Sequence, residues 1–271
     1  MGNVLRVAHS LTGATVLPPR PVRASYRHLF GLELCDLAWD DALSHIQSVI
    51  GIPGKQTVLS FLNAHNANVM LADANYRHAL SRHLVFPDGV GVNIASRLLN
   101  GRAFPANLNG TDFVPALLTY ISEPMRVGLL GAAPDVLQGA AETFHAHTPW
   151  HTIIPVSDGY FDKDNCGELL ARIEAERLDV LIVAMGTPLQ EVWVDRHIRP
   201  EHASLVITAG ALFDFVSGRV SRAPVSWRRL RLEWLHRLRL EPKRLWKRYI
   251  LGIPLFFLHL MAFLLFDSRE A

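Results

Sequence analysis

An alternation constrains this chain more than any other feature. Short, mainly apolar runs recur, most of them followed by a small or polar turn and then by a segment with helical spacing. Val180–Ala184 has no polar position, and Met185-Gly186-Thr187-Pro188 and a helical stretch near Leu189–His197 come directly after it. A strand that is apolar at every position must be covered on both faces. The unit repeats along the chain. Thr57–Leu62 precedes a helix over His65–Leu80, and Leu84–Phe86 precedes one over Val90–Leu99. Arg126–Leu130 precedes Pro134–His147, His151–Val156 precedes Asn165–Arg177, and Ser204–Thr208 is the last strand. Two further helices read as Leu37–Ile50 and as a segment from Asn109 to about Ile121. The rhythm predicts an α/β fold: a Rossmann-like, mostly parallel sheet with helices on both faces. In such sheets ligands bind beyond the carboxyl ends of the strands, where the glycines and polar residues of this chain fall.

Composition narrows the function. With 271 residues, 49% hydrophobic and 19% charged, the chain can bury a large core and is not a disordered polymer. Its two cysteines, Cys35 and Cys166, form no CxxC pair, and none of the thirteen histidines sits in an HExxH pattern, so no metal site is expected. GxSxG is missing, which removes the signature of serine hydrolysis. Charge is uneven. Residues 219–248 hold eleven Lys or Arg and two Glu, a surplus of nine, so the rest of a +2 chain carries −7. A basic block on an acidic body suits an anionic surface and argues against nucleic acid as partner.

That block runs into Ile250–Phe266, seventeen residues that are apolar apart from His259. As a helix they span ~25 Å, short of the ~30 Å hydrocarbon core. Trp227, Trp234, Trp246 and Tyr249 alternate with arginines ahead of it, as in a headgroup layer. The tail reads as a monotopic anchor, as a short span, or as a segment packed on its own domain or on a second copy in a homo-oligomer. Residues 1–30 read as a leader, 31–218 as the core and 219–271 as a basic amphipathic helical appendage.

Four loops after strands could carry chemistry, and each has a plainer reading. Asn63-Ala64-His65 offers an amide and an imidazole to a nucleotide or sugar, or simply caps a helix. Pro87-Asp88-Gly89 holds a carboxylate in a rigid turn, as a base for a hydroxyl or as a turn residue bonding its own backbone. Gly128–Ala133 admits phosphate to a helix N-terminus or is only a tight turn. Met185–Glu191 places Gly186, Gln190 and Glu191 near a ligand, or caps a helix through Thr187. The incomplete glycine fingerprint disfavours a nicotinamide-dependent oxidoreductase.

Together with the order of FLNAHNANVMLA, FPDGVGV, LNGTDFVPALL, VGLLGAAPDV, SDGYFD, VAMGTPLQEVWV, TAGALFDFVSGRVSRAPVSW and LEWLHRLRLEPKRLWKRY, these loops resemble the WecG/TagA/CpsF family of bacterial glycosyltransferases over about residues 31–250. The resemblance implies an inverting transfer from a UDP-sugar to a polyprenyl-diphosphate-linked glycan, without metal or other cofactor, at the cytoplasmic face of the inner membrane. It implies Asp88 as base. As substrate-binding residues it implies Asn63, His65, Gly89, Asn109, Gly110, Asp112, Gly131, Tyr160, Phe161, Met185, Gly186, Gln190 and Glu191, with Arg237, Arg244 and Arg248 facing phosphate. Where teichoic-acid members carry Thr-x-Asn, this chain has Asn63 and His65. That departure resembles the exopolysaccharide branch and implies glucose as the transferred sugar, with UDP-N-acetylmannosamine as the alternative donor. An adaptor that binds the nucleotide without turnover is a further reading.

Overall fold

A computed structural model describes residues 24–266, apart from 225, 228, 229 and 231. The leader up to residue 23 and three of the arginines of the basic block lie outside the described residues. Six strands form one wholly parallel sheet: β3 (Thr57–Leu62), β4 (Leu84–Pro87), β5 (Arg126–Gly131), β6 (Thr152–Ser157), β7 (Leu178–Ala184) and β8 (Ala203–Thr208). Their order is β4-β3-β8-β7-β5-β6. The last strand in sequence therefore fills the centre, between β3 and β7.

Both faces of the sheet are buried, as the apolar strands require. Along β7, Val180 and Ile182 enter one core while Leu181 and Val183 enter another. Successive side chains of a strand point to opposite faces, so a run without polar residues feeds two cores at once. Helices α1 (Trp39–Val49), α5 (Gly110–Tyr120), α6 (Pro134–His147) and the short α9 (Leu212–Val216) cover the first face. Helices α2 (Ala64–Ala72), α3 (Ala74–Ser81), α4 (Val90–Asn100), α7 (Gly167–Glu176) and α8 (Leu189–His197) supply the other.

Two local features depart from the sequence reading. The single helix expected over His65–Leu80 is two helices. Asp73 caps the second, its carboxylate accepting from the N–H groups of Asn75 and Tyr76 at 2.9 and 3.1 Å. Such a cap stops one helix and starts the next. The stretch 26–29, assigned to the leader, is instead β1 (Tyr26–Leu29) of an antiparallel hairpin with β2 (Leu32–Cys35). Its arginine is buried and bidentate. Arg27 Nη2 donates to both oxygens of Asp36 at 2.8 and 2.7 Å, and Nη1 donates to Ser96 Oγ at 2.6 Å. The hairpin is thereby tied to α4.

The basic block and tail continue as α10 (Glu233–Leu240), α11 (Pro242–Trp246), a π-helical turn over Lys247–Leu251 and α12 (Gly252–Phe266). Helix α12 packs on α2 and α4. Phe256 and Leu260 are 0% and 1% exposed, and Phe30 meets the rings of Phe256 and Phe263 edge-on at 5.6 and 5.1 Å. His259 shares a hydrogen bond with Asn68 Oδ1 at 3.0 Å, which accounts for a polar residue in an apolar run. The opposite face, with Leu251, Leu255, Leu258, Met261 and Leu265, is exposed. The tail is thus half packed on its own domain and half bare.

Candidate active site

Two cavities, of about 560 and 440 Å3, open at the carboxyl ends of β4, β3, β8 and β7 and share a wall. Asn63, His65, Asp88, Thr111, Phe215, Arg237 and Arg248 line both. Asp88 therefore stands where the cavities meet. It follows β4, and the next residue, Gly89, takes φ +92°, which a side chain would resist. Asn107 Oδ1 accepts from the Gly89 N–H at 2.6 Å and fixes the turn.

The first cavity is polar near Asp88, with Asn93, Asn107 and Asn109, and apolar towards the appendage, with Trp234, Ile253, Phe256 and Phe257. The second is polar, with Gly186, Thr187, Gln190, Glu191, Thr208 and Gly210 on the core side and Arg244, Lys247 and Arg248 on the appendage side.

Asn63 caps a helix, the plainer of its two sequence-based readings, and also touches Asp88. Its Oδ1 caps α2 by accepting from the Asn66 N–H at 3.0 Å, and its Nδ2 donates to Asp88 Oδ2 at 3.3 Å. Burial raises the Asp88 pKa above the usual carboxylate range, opposed by the Asn63 hydrogen bond and the Arg248 charge and helped by Glu233 and Asp112. Its proton affinity is thus moved towards that of a useful base. Burial and then the Arg248 charge lower the His65 pKa to about 4, so the imidazole is neutral at pH 7. Burial lowers the pKa of Arg248 itself. The Nε atoms of Arg237 and Arg248 are buried and have no protein partner. Both side chains line both cavities, and guanidinium groups so placed suit phosphate oxygens.

Gln190 and Glu191 are both 1% exposed, and their bonds decide their parts. Gln190 Oε1 accepts from the N–H groups of Met185, Gly186 and Gly210 at 3.2, 3.1 and 3.1 Å. Its acceptor is used up in stapling the loops after β7 and β8. Gln190 Nε2 and Thr187 Oγ1 donate to Glu191 Oε1 at 2.8 and 3.0 Å, which leaves Glu191 Oε2 without a protein partner. Desolvation raises the Glu191 pKa.

Of the residues singled out from sequence, Asp88, Asn63, His65, Gly89, Asn109, Gly110, Gly186, Gln190, Glu191, Arg237, Arg244 and Arg248 line one cavity or both. Five do not. A Cβ on Gly131 would stand 2.3 Å from the Ala184 carbonyl oxygen, so this glycine serves a close approach of strands. Tyr160 is exposed, and Phe161 packs on Trp193 at 5.3 Å. The Met185 side chain packs against the core beneath β7. Asp112 is paired with Arg222 at 2.8 Å. Strand order explains Gly131, Tyr160 and Phe161. Gly131 ends β5, and Tyr160 and Phe161 follow β6, on the far side of β7 from Asp88.

Sequence reasoning passed over Phe215, Asn93, Asn107 and Glu233. The last two had no visible signal: an asparagine in a loop and one acid inside a basic block. Among the described residues no group of His, Cys, Asp or Glu could hold a metal ion.

Comparison with known proteins agrees with this geometry. Residues 27–270 match the family model described as "Glycosyl transferase WecG/TagA/CpsF family". The N-acetylglucosaminyldiphosphoundecaprenol N-acetyl-beta-D-mannosaminyltransferase of Bacillus subtilis is 37% identical over 202 residues, covering 73% of this chain and 76% of the relative. The enzyme of the same name from Bacillus spizizenii is 30% identical over 227 residues, covering 82% and 86%. A likeness over nearly the whole described chain, with the strand-end carboxylate and the arginines in one pocket, places the chain in the WecG/TagA/CpsF family of glycosyl transferases.

Proposed function

We propose that this protein is an inverting glycosyltransferase that moves N-acetylmannosamine from its UDP derivative to a polyprenyl-diphosphate-linked glycan. The observation that carries this reading is Asp88 at the meeting point of an apolar-walled cavity and a cation-lined one. The donor's diphosphate fits the second cavity, beneath Arg237, Arg244, Lys247 and Arg248. The acceptor sugar fits the first, with its lipid against Trp234, Ile253 and Phe257.

An acceptor hydroxyl then attacks the anomeric carbon from the face opposite UDP. Its oxygen bonds to that carbon, the bond from the carbon to the phosphate oxygen breaks, UDP leaves with the electron pair, and Asp88 takes the proton. A placed base contributes ~10²–10⁴-fold. Arginines and Lys247 answer the charge that grows on the diphosphate. Asp88 is the one carboxylate that lines both cavities, whereas Glu233 lines only the first and Glu191 only the second. A single base at their junction suits one displacement with inversion.

The transferred sugar departs from the sequence-based expectation of glucose. Both relatives are named for N-acetylmannosaminyl transfer, and this favours the alternative. A panel of UDP-sugars, run with lipid-linked N-acetylglucosamine and followed by mass analysis of the product, tests the choice. Product from UDP-N-acetylmannosamine is expected. Product from UDP-glucose alone would return the assignment to glucosyl transfer.

Pro242–Leu265 is long and apolar enough to cross a membrane. Because Phe256 and Leu260 are committed to the core, we infer that it lies along the cytoplasmic face of the inner membrane, with the bare side of α12 in lipid. Leu255 and Leu258, 44% and 67% exposed, test this. Each leucine moved into lipid contributes about 1.5–3 kcal/mol. Changing both to Asp is expected to weaken sedimentation with phosphatidylglycerol-rich vesicles by at least ~10-fold at unchanged melting temperature. Equal sedimentation of variant and parent would remove the membrane from the account.

A further inference from the structure

The arginine that joins the core to the appendage is Arg222, and its neighbours form a closed set. Its Nη2 meets Asp112 at 2.8 Å, on the first turn of α5 in the core. Its Nε lies 3.1 Å from an oxygen of Glu233, the first residue of α10 in the appendage, as an ion pair without hydrogen-bond alignment. Its side chain is 14% exposed, against 38% for Asp112 and 34% for Glu233. Its guanidinium lies 5.4 Å from the Phe215 ring centre, and that of Arg237 lies 5.1 Å from the same ring. Phe215 and Arg237 line both cavities, and Glu233 lines the first. Arg222 is the least exposed of the three, so without its acids it would hold a poorly solvated charge.

We propose that Arg222 is a positioning residue: a latch that clamps α10 over the two cavities and neutralises Glu233 and Asp112 beside the base. The latch rests on the reading of Asp88 as base for its effect on turnover, but not for its effect on α10. Arg222 reaches one carboxylate on each side of the closure, and no single exposed pair could do so. It also holds the acid at the mouth of the first cavity away from the reacting centre. The charged or titratable groups facing Asp88 are Arg248 and Arg237 from the appendage, Glu233 from α10, Asp112 from α5 and His65 from α2. Glu233 and Asp112 are the two that raise its proton affinity, and Arg222 is the cation that both of them touch.

The test uses the full chain and three variants, Arg222→Gln, Glu233→Gln and the double change, with Arg222→Lys as the conservative control. Two readouts are taken. The first is amide hydrogen exchange over residues 233–240, which needs no turnover. Arg222→Gln is expected to speed exchange there by about tenfold or more, and adding Glu233→Gln should not add a second factor of that size. The second is the acid limb of the turnover–pH profile. It is expected to move up in Arg222→Gln by about one unit, to move down in Glu233→Gln, and to return near its original place in the double variant. Arg222→Lys keeps the charge but not the fork that reaches both carboxylates, so its acid limb should stay near the parent's while exchange over 233–240 speeds. Unchanged exchange over 233–240 in Arg222→Gln would overturn the latch, and so would an acid limb that moves the same way in both single variants. If Asp88→Asn keeps full turnover while Arg222→Gln still loosens 233–240, the base assignment fails and the latch stands. If Arg222→Gln does not fold, exchange and the acid limb in Arg222→Lys and Glu233→Gln decide the matter. Parental exchange in Glu233→Gln overturns the proposal.

Discussion

Asp88→Asn is expected to lower turnover by about a thousandfold while UDP binding survives. The amide keeps the size and the hydrogen-bonding reach of the carboxylate but cannot take a proton. Asn63 Nδ2 still finds an oxygen in place of Asp88 Oδ2, so the pocket keeps its shape. Stability should move the other way. Burial raises the folded-state pKa of Asp88 above its ordinary value, so above that pKa the native protein bears the cost of a desolvated charge. That cost disappears as pH falls through the raised folded value, because the folded state then holds the proton that the unfolded state releases. Asp88→Asn removes the cost at neutral pH, and its melting temperature there should equal or exceed that of the parent. Turnover assays with the lipid-linked acceptor, paired with isothermal titration of UDP, check the first half. Scans at pH 5 and 8 check the second. Near-normal turnover would exclude the base role.

The second large effect concerns the appendage. Removing residues 226–271 is expected to abolish turnover, because Arg237, Arg244, Lys247 and Arg248 leave together. From sequence, the truncated core is expected to remain intact. The structure changes that expectation. Phe256 and Leu260 complete a core with Phe30, Met70 and Tyr76, and their removal costs roughly 3–6 kcal/mol of burial. Against a typical total of about 5–15 kcal/mol, the truncated chain should melt far below the parent. Arg237→Ala combined with Arg248→Ala isolates the chemistry. Helix α12 stays docked, and turnover should fall by about 10²–10³-fold as the leaving diphosphate loses its donors. The acid limb should also rise, since Arg248 no longer favours the Asp88 carboxylate. A double variant with near-parental turnover would refute the leaving-group role of these arginines.

What could be read from the sequence was mostly local. The apolar runs and helical spacings give every strand of the parallel sheet, and burial on both faces explains that signature for all but the edge strand β6, where only Val156 is buried. Strand order leaves none. Nothing in Ser204–Thr208 says that it inserts between β3 and β7, yet that insertion separates Asp88 from Gly131, Tyr160 and Phe161. The hairpin was hidden for a different reason. Its strands are four residues long, and the turn between them rests on Phe30 at φ +54° beside Gly31, not on a recognisable Asn-Gly pair. Gln190 was found for its chemistry, but its oxygen holds three backbone N–H groups. A residue type shows what a side chain can bond, and only the fold shows what it does bond. Asp88, Asn63 and the arginines line the cavities, and they were legible because each sits in one of the motifs that resemble the family. Asn107 lies just outside the LNGTDFVPALL motif, and Glu233 lies inside a motif but as a lone acid among cations.

The docking of α12 also governs how substrates arrive. A helix whose Phe256 plugs the core cannot swing aside between catalytic cycles without opening a hole in the domain. It is a fixed doorpost. On the function proposed above, a lipid-borne acceptor would have to pass Ile253 and Phe257 where they stand, and the donor would take the cation-lined cavity on the other side of Asp88.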